Sequence, residues 1–132
     1  IFKKASIFGY KVKDPERYGV IEFSDGYYNV IGIEEKPSNP KSNYAIIGVY
    51  TYPNSVVEYV NQVKPSERGE LEITTLNEIY LKKDELACSI IEGGVAWLDT
   101  GTFESLCDAS QYVKTIQERQ GCIIGVQIPK DD

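Results

Sequence analysis

The sequence predicts an α/β fold, on three observations. Apolar residues recur at three- and four-residue spacing in three stretches, two β-rich runs flank an Asp-Gly pair, and the run Tyr44 to Tyr50 is continuously apolar and β-branched. Strands interspersed with amphipathic helices bury their apolar faces against one another as an α/β layer structure.

The first strand is expected at Ser6 to Val12. Val20 to Phe23 and Tyr27 to Ile33 flank Ser24-Asp25-Gly26 and read as a β-hairpin, because glycine supplies the positive φ of a tight turn. A loop bounded by Pro37 and Pro40 leads to Tyr44 to Tyr50, which has no polar face and is expected as a central strand. Val56, Val57, Val60 and Val63 place a helix of about ten residues between Pro53 and Pro65. Ile73, Leu76, Ile79 and Tyr80 form the stripe of a second helix within Leu71 to Lys83. Phe103, Leu106, Ala109, Val113 and Ile116 form that of a third, with Thr102 as N-cap. Leu86 to Ile91 and Val95 to Leu98 are expected strands around Gly93-Gly94, and Cys122 to Val126 a last one. No internal repeat or linker divides the chain, so residues 1–132 are expected as a single domain.

With 132 residues, 42% of them hydrophobic, the chain is long enough for one core and too apolar for the disordered class. No apolar run approaches the ~20 residues of a bilayer span, and no charged-then-apolar leader opens the sequence, so neither a membrane segment nor secretion is expected. Histidine is absent, which excludes Ser-His and Cys-His nucleophile pairs and His-containing zinc sites from this chain. Cys88, Cys107 and Cys122 are odd in number and never in C-x-x-C spacing, which points to reduced thiols and a cytoplasmic location. The net charge of −6 is uneven, +1 over residues 1–66 and −7 over 67–132. Nucleic acid is therefore not an expected partner, because phosphate-backbone binding needs a concentrated basic face.

Four clusters carry residues suited to chemistry. In Asp14-Pro15-Glu16-Arg17-Tyr18-Gly19, Gly19 offers approachable backbone beside the Tyr18 ring, or the segment is simply a loop entering the hairpin. Glu34-Glu35-Lys36-Pro37 stands at a strand end, where open α/β sheets bind ligands, or is a solvated charged turn. Arg68 precedes a glycine and an expected helix start, a combination suited to phosphate, with a surface Arg68–Glu72 pair as the plainer reading. Asp99, in Trp97-Leu98-Asp99-Thr100-Gly101-Thr102, could ligate a hard cation such as Mg²⁺ beside substrate phosphate oxygens, or could cap the helix. No G-x-G-x-x-G or P-loop is present. From the residues alone, the chain is an α/β domain suited to a phosphorylated ligand.

In this order, the clusters resemble the sugar-phosphate nucleotidyltransferases. The matching stretches are IFGYKVKDPERYGVIEF, IEEKPSNPKSNYAIIGVYTY, KPSERGELEITTLNEIYL, GGVAWLDTGTFESL and ASQYVKTIQERQG, from about Ser6 to Gly121. The EEKP and WLDTGT elements recur across related nucleotidyltransferases, while RGELEIT joined to AWLDTGT resembles the thymidylyl branch. The resemblance implies a Rossmann-like mixed sheet with flanking helices and a β-hairpin, of which this chain is the C-terminal, sugar-binding part. It implies that Tyr18 and Gly19 line the sugar side of a pocket, that Glu35 hydrogen-bonds sugar hydroxyls and that Lys36 contacts the sugar phosphate. Ile46 and Tyr50 would pack along the same pocket, Arg68 would grip the phosphate, Trp97 would wall the site, and Asp99 would be one of two aspartates holding Mg²⁺.

The implied catalytic set is Lys36, Arg68 and Asp99. The implied reaction is attack by a glucose-1-phosphate oxygen on the α-phosphorus of dTTP, giving dTDP-glucose and pyrophosphate. Such a transfer relies on positioning and charge neutralisation, so a histidine-free site suits it. The family's glycine-rich N-terminal loop and second metal-binding aspartate have no counterpart here, so the isolated chain is expected to be inactive. The intact enzyme is expected to be a homo-oligomer. A uridylyl-type enzyme, and a non-catalytic sugar-phosphate-binding or assembly module, are the alternatives.

Overall fold

In the computed structural model, residues 3–24, 29–66 and 68–125 are described. The chain groups into two compact units, Ile1–Val95 and Ala96–Asp132. In the first, five strands, β1 (Ala5–Lys11), β2 (Gly19–Phe23), β3 (Val30–Glu35), β4 (Tyr44–Thr51) and β5 (Leu86–Ile91), form one mixed sheet in the order β3-β2-β4-β1-β5. Two helices, α1 (Val56–Val60) and α2 (Ile73–Lys82), accompany them. The second unit contains α3 (Phe103–Gln120).

β1 runs parallel to β5, with Ala5 opposite Leu86 and Tyr10 opposite Ile91, and antiparallel to β4, with Ser6 opposite Thr51. β2 and β3 form the expected antiparallel hairpin, with Gly19 opposite Glu35. β3 runs to Glu35, two residues past the expected end at Ile33, and residues 25–28, with the Asp25-Gly26 turn and the start of the expected strand, fall outside the described residues. β4 is the middle strand, as its continuous apolar run required. Its register with β2 rests on the single pair Val20 and Ala45. Ser42 strengthens that junction: its hydroxyl donates to the Ile21 carbonyl at 2.6 Å and accepts from the Tyr44 N–H at 3.0 Å. Beyond it the strand opens to solvent, and Val49 is 53% exposed.

The core follows from the alternation of β1, whose Ala5, Ile7 and Gly9 all point inward. Ile7 joins Ile21, Ile33 and Ile46 in one buried cluster, and Ala5 joins Tyr59, Leu76 and Tyr80 in another. Each fully buried isoleucine contributes ~1.5–3 kcal/mol relative to exposure. Glycine at position 9 is a packing requirement, since a Cβ there would stand 2.8 Å from Ile90 Cδ1 and 2.9 Å from Ile21 Cδ1.

Three expected elements come out differently. α1 has five residues rather than ten, because Val56 and Val57 at its start and Gln62 and Val63 at its end make tighter i→i−3 bonds. A valine-rich segment between two prolines has low propensity to extend those turns. α2, at Ile73–Lys82, lies within the expected Leu71 to Lys83. Val95 to Leu98 is not a strand: Gly94, at φ +100, turns the chain away after β5, and the Val95 carbonyl accepts the Tyr10 hydroxyl at 3.1 Å. Cys122 to Gly125 is not a strand either, since left-handed Gly121 caps α3 and the Ile124 N–H turns back to Gln117 Oε1. Val126 falls outside the described residues.

α3 begins where Thr102 predicted, with Thr102 and Ser105 forming a reciprocal capping box. Its apolar stripe is present but unburied, and Phe103 is 97% exposed. Among the described residues no helix is long and apolar enough to cross a membrane.

Candidate sugar-phosphate site

The hairpin register brings the first two clusters together. Gly19 opens β2, Glu35 closes β3, and the two are paired residues. One position on, the Lys36 N–H donates to the Tyr18 carbonyl at 2.9 Å. Lys36 adopts φ 45°, a left-handed backbone that lysine takes only under constraint from its surroundings. Lys36 is exposed, immediately after the half-buried Glu35. Tyr18 is extended, and the Arg17 guanidinium lies 5.3 Å from its ring centroid.

α2 supplies a residue that sequence reasoning missed. Thr74, only 4% exposed, donates its hydroxyl hydrogen bond to Glu35 Oε2 at 2.5 Å. That hydrogen bond from a buried hydroxyl orients the Glu35 carboxylate. Gly19 completes the corner: a Cβ there would lie 3.2 Å from both Glu35 Oε2 and Thr74 Oγ1, and 3.7 Å from Ile46 Cδ1. Lacking a side chain, Gly19 leaves bare backbone beside the bound carboxylate. Ile46 is nearly buried and belongs mainly to the core beneath this corner.

Tyr50 follows on β4. Its hydroxyl titrates above the usual phenol range, first because it is half-buried and then because the Glu35 carboxylate opposes a second negative charge. Tyr50 stacks on Tyr52, with centroids 6.1 Å apart and planes within 11°. Tyr52 in turn donates to Asn77 Oδ1 at 2.6 Å. Thr74 and Asn77 were detectable in principle, as polar residues interrupting the apolar stripe on the inward face of α2.

Arg68 is half-exposed and pairs with Glu70 at 2.9 Å and Glu72 at 3.5 Å. The plainer reading of Arg68 is therefore realised, as a short acidic-basic network that also holds Ser66 through Glu72. Trp97 and Asp99 belong to the second unit. Asp99 does not cap α3, since Thr102 does; its Oδ1 instead accepts the Gly101 N–H at 3.3 Å. That bond orients the carboxylate. No group of three or more His, Cys, Asp or Glu residues suited to a metal ion exists among the described residues.

The nucleotidyl transferase family profile matches residues 2–116. The glucose-1-phosphate thymidylyltransferase of Neisseria gonorrhoeae is 53% identical over 116 residues, covering 88% of this chain and 40% of that protein. Its Mycobacterium tuberculosis (strain H37Rv) counterpart is 48% identical over 127 residues, covering 96% and 43%. The chain thus spans about two fifths of the length of these curated relatives. A Bacillus anthracis crystal structure, described as a candidate glucose-1-phosphate thymidylyltransferase in complex with a sucrose, superposes with a TM-score of 0.75 at 38% identity, over 97% of this chain and 46% of that one. A UDP-glucose pyrophosphorylase complexed with UDP-glucose matches at TM-score 0.74 and 24% identity, covering 86% and 45%, which is a likeness of fold alone. With the profile spanning nearly all of its length, the chain belongs to the nucleotidyl transferase family.

Proposed function

We propose that this chain is the sugar-phosphate-binding part of a glucose-1-phosphate thymidylyltransferase, with the nucleotide-binding part lying outside it. The observation that carries the reading is the corner formed by Gly19, Glu35 and Thr74, with Lys36 turned out beside it. A fixed carboxylate next to bare backbone suits the vicinal hydroxyls of a hexose, and a neighbouring ammonium suits its phosphate. The single-pair junction of β4 with β2, and the exposure of Val49 on this middle strand, support a partial domain completed by further chain.

In this reading Glu35 accepts from the sugar hydroxyls while Tyr18, Gly19, Ile46 and Tyr50 shape the pocket around the ring. Trp97 adds a wall. Lys36 and Arg68 hold the sugar phosphate so that one of its oxygens attacks the α-phosphorus of dTTP in line. A new oxygen–phosphorus bond forms, the bond from the α-phosphorus to the bridging β-phosphate oxygen breaks, and pyrophosphate leaves with that oxygen's electron pair. Asp99 would contribute a carboxylate to Mg²⁺, which when bound neutralises phosphate charge. No acid or base is required, because the phosphate nucleophile is already ionised at neutral pH. The three free cysteines support a reducing cytoplasmic setting, and the intact enzyme is proposed to be a homo-oligomer.

The test is a pyrophosphate-release assay on the full-length protein with Mg²⁺, glucose-1-phosphate and either dTTP or UTP. Turnover preferring dTTP is expected, with no comparable rate from residues 1–132 alone. A UTP preference would favour the uridylyl alternative, and binding without turnover a non-catalytic module.

A further inference from the structure

Asn77 is fully buried, and its polar atoms are unequally used. Oδ1 accepts the Tyr52 hydroxyl at 2.6 Å, whereas Nδ2 has no hydrogen-bond partner despite being buried. An orphaned amide donor is a stability cost that a leucine of similar volume would avoid. The bond to Tyr52 is what the amide provides in return.

That bond leads to the site. Tyr52 is held between two rings, stacked on Tyr50 and tilted against Tyr80 at 5.5 Å. Tyr80 is itself fully buried and braced, with its hydroxyl 3.2 Å from Ser55 Oγ and its ring 4.9 Å from that of Tyr59. The Tyr52 ring therefore has a fixed back wall, and Asn77 fixes its hydroxyl end. Tyr50, stacked on Tyr52, packs against the buried cluster that contains Ile46, whose Cδ1 lies beside Gly19 at the Glu35 corner. Three residues before Asn77 on the same helix face, Thr74 holds Glu35 itself.

We propose that Asn77 is a positioning residue for the sugar pocket: by holding Tyr52 it sets the plane of Tyr50 beside the Gly19–Glu35 corner, so that one face of α2 governs both the hydrogen-bonding and the aromatic side of the site. This rests on the reading that Glu35 and Tyr50 meet the sugar. α2 thereby acts as a template for the sugar ring, with Thr74 fixing the hydrogen-bonding wall and Asn77 the aromatic one.

The experiment uses the full-length protein and four variants, Tyr52→Phe, Asn77→Leu, their double variant and Glu35→Gln. It measures KM for glucose-1-phosphate and dTTP, the kcat/KM preference for glucose-1-phosphate over its galactose epimer, and Tm. Tyr52→Phe keeps the stacked ring and removes only the hydroxyl. Tyr52→Phe and Asn77→Leu are each expected to raise the sugar-phosphate KM about threefold to tenfold and lower the epimer preference, leaving the dTTP KM unchanged. The double variant should be no worse than the worse single one, since both remove the same bond. A change in Tm with sugar KM and epimer preference unchanged would overturn the proposal and leave Asn77 a structural residue. Should Asn77→Leu fail to fold, Tyr52→Phe alone decides. Glu35→Gln separates the two levels: if it alters sugar KM and Tyr52→Phe does not, only the role of Asn77 fails; if it does not, the sugar-site reading fails and the proposal with it.

Discussion

Thr74 on α2 and Glu35 at the end of β3, 39 residues apart in sequence, share one short hydrogen bond. It ties a helix to the last residue of a hairpin strand and aims a carboxylate that would otherwise have several rotamers. Thr74→Val keeps the shape and removes the donor. In the full-length enzyme it is expected to raise the glucose-1-phosphate KM about fivefold, in line with the loss of ~1 kcal/mol, with Thr74→Ser restoring most of the difference. Steady-state kinetics of the two variants checks this, and equal KM values for both would remove Thr74 from the site.

Gly19→Ala tests the same corner from the opposite side. The added methyl would sit 3.2 Å from both the Glu35 carboxylate and the Thr74 hydroxyl, so one of them must give way. The strand backbone itself tolerates alanine, so sugar-phosphate affinity is expected to fall severalfold while Tm changes little. Isothermal titration with glucose-1-phosphate and a thermal melt measure the two effects separately.

Asp99 and Thr102 are three residues apart and are expected to separate function from stability. Thr102→Ala removes a capping box and should destabilise by ~0.5–2 kcal/mol with modest kinetic effect. Asp99→Asn retains an oxygen to accept the Gly101 N–H, so stability should hold while turnover at saturating Mg²⁺ collapses. Urea midpoints and kcat, measured together on both variants, give the comparison. Near-normal kcat in Asp99→Asn would end its metal assignment.

Burial pushes the Cys88 thiol up to about 11 from its ordinary 9.0, against an opposing hydrogen bond from the Gly9 backbone. Between these values the unfolded chain releases a proton that the folded chain retains, so the stability contribution is complete below pH 9.0 and declines as pH rises towards 11. Cys88→Ala should abolish that part of the decline, read as the difference in urea midpoint between variant and parent across this range. At neutral pH, Cys107 and Cys122, both exposed, should alkylate well before Cys88.

Local pattern was sufficient wherever an element depends on its own residues. β5 occupies Leu86–Ile91 as its apolar run predicted, and α3 begins after Thr102 because the cap chemistry is local. Tyr18, Gly19, Glu35 and Lys36 were also legible, because a hairpin register pairs near neighbours and the motifs resemble a known family. The outcome of competition between elements was not legible. The valines after Pro53 have helical spacing but form only five helical residues, and Val95 to Leu98 has strand-like residues but no ladder. Helical spacing likewise predicted a stripe on α3 without determining whether anything would bury it.

The sequence by itself determined the α/β class, the hairpin and the central strand, and it marked the residues of the candidate site. Tertiary structure alone decided that Thr74 would hold Glu35, that Asn77 would hold Tyr52, and that a Cβ at Gly19 would crowd two polar groups. The physical reason is range. Propensity, capping and periodicity act within a turn or two of the chain, whereas a buried hydroxyl or amide finds its partner only after helix and sheet have packed, and the cost of leaving it unpaired then selects the geometry.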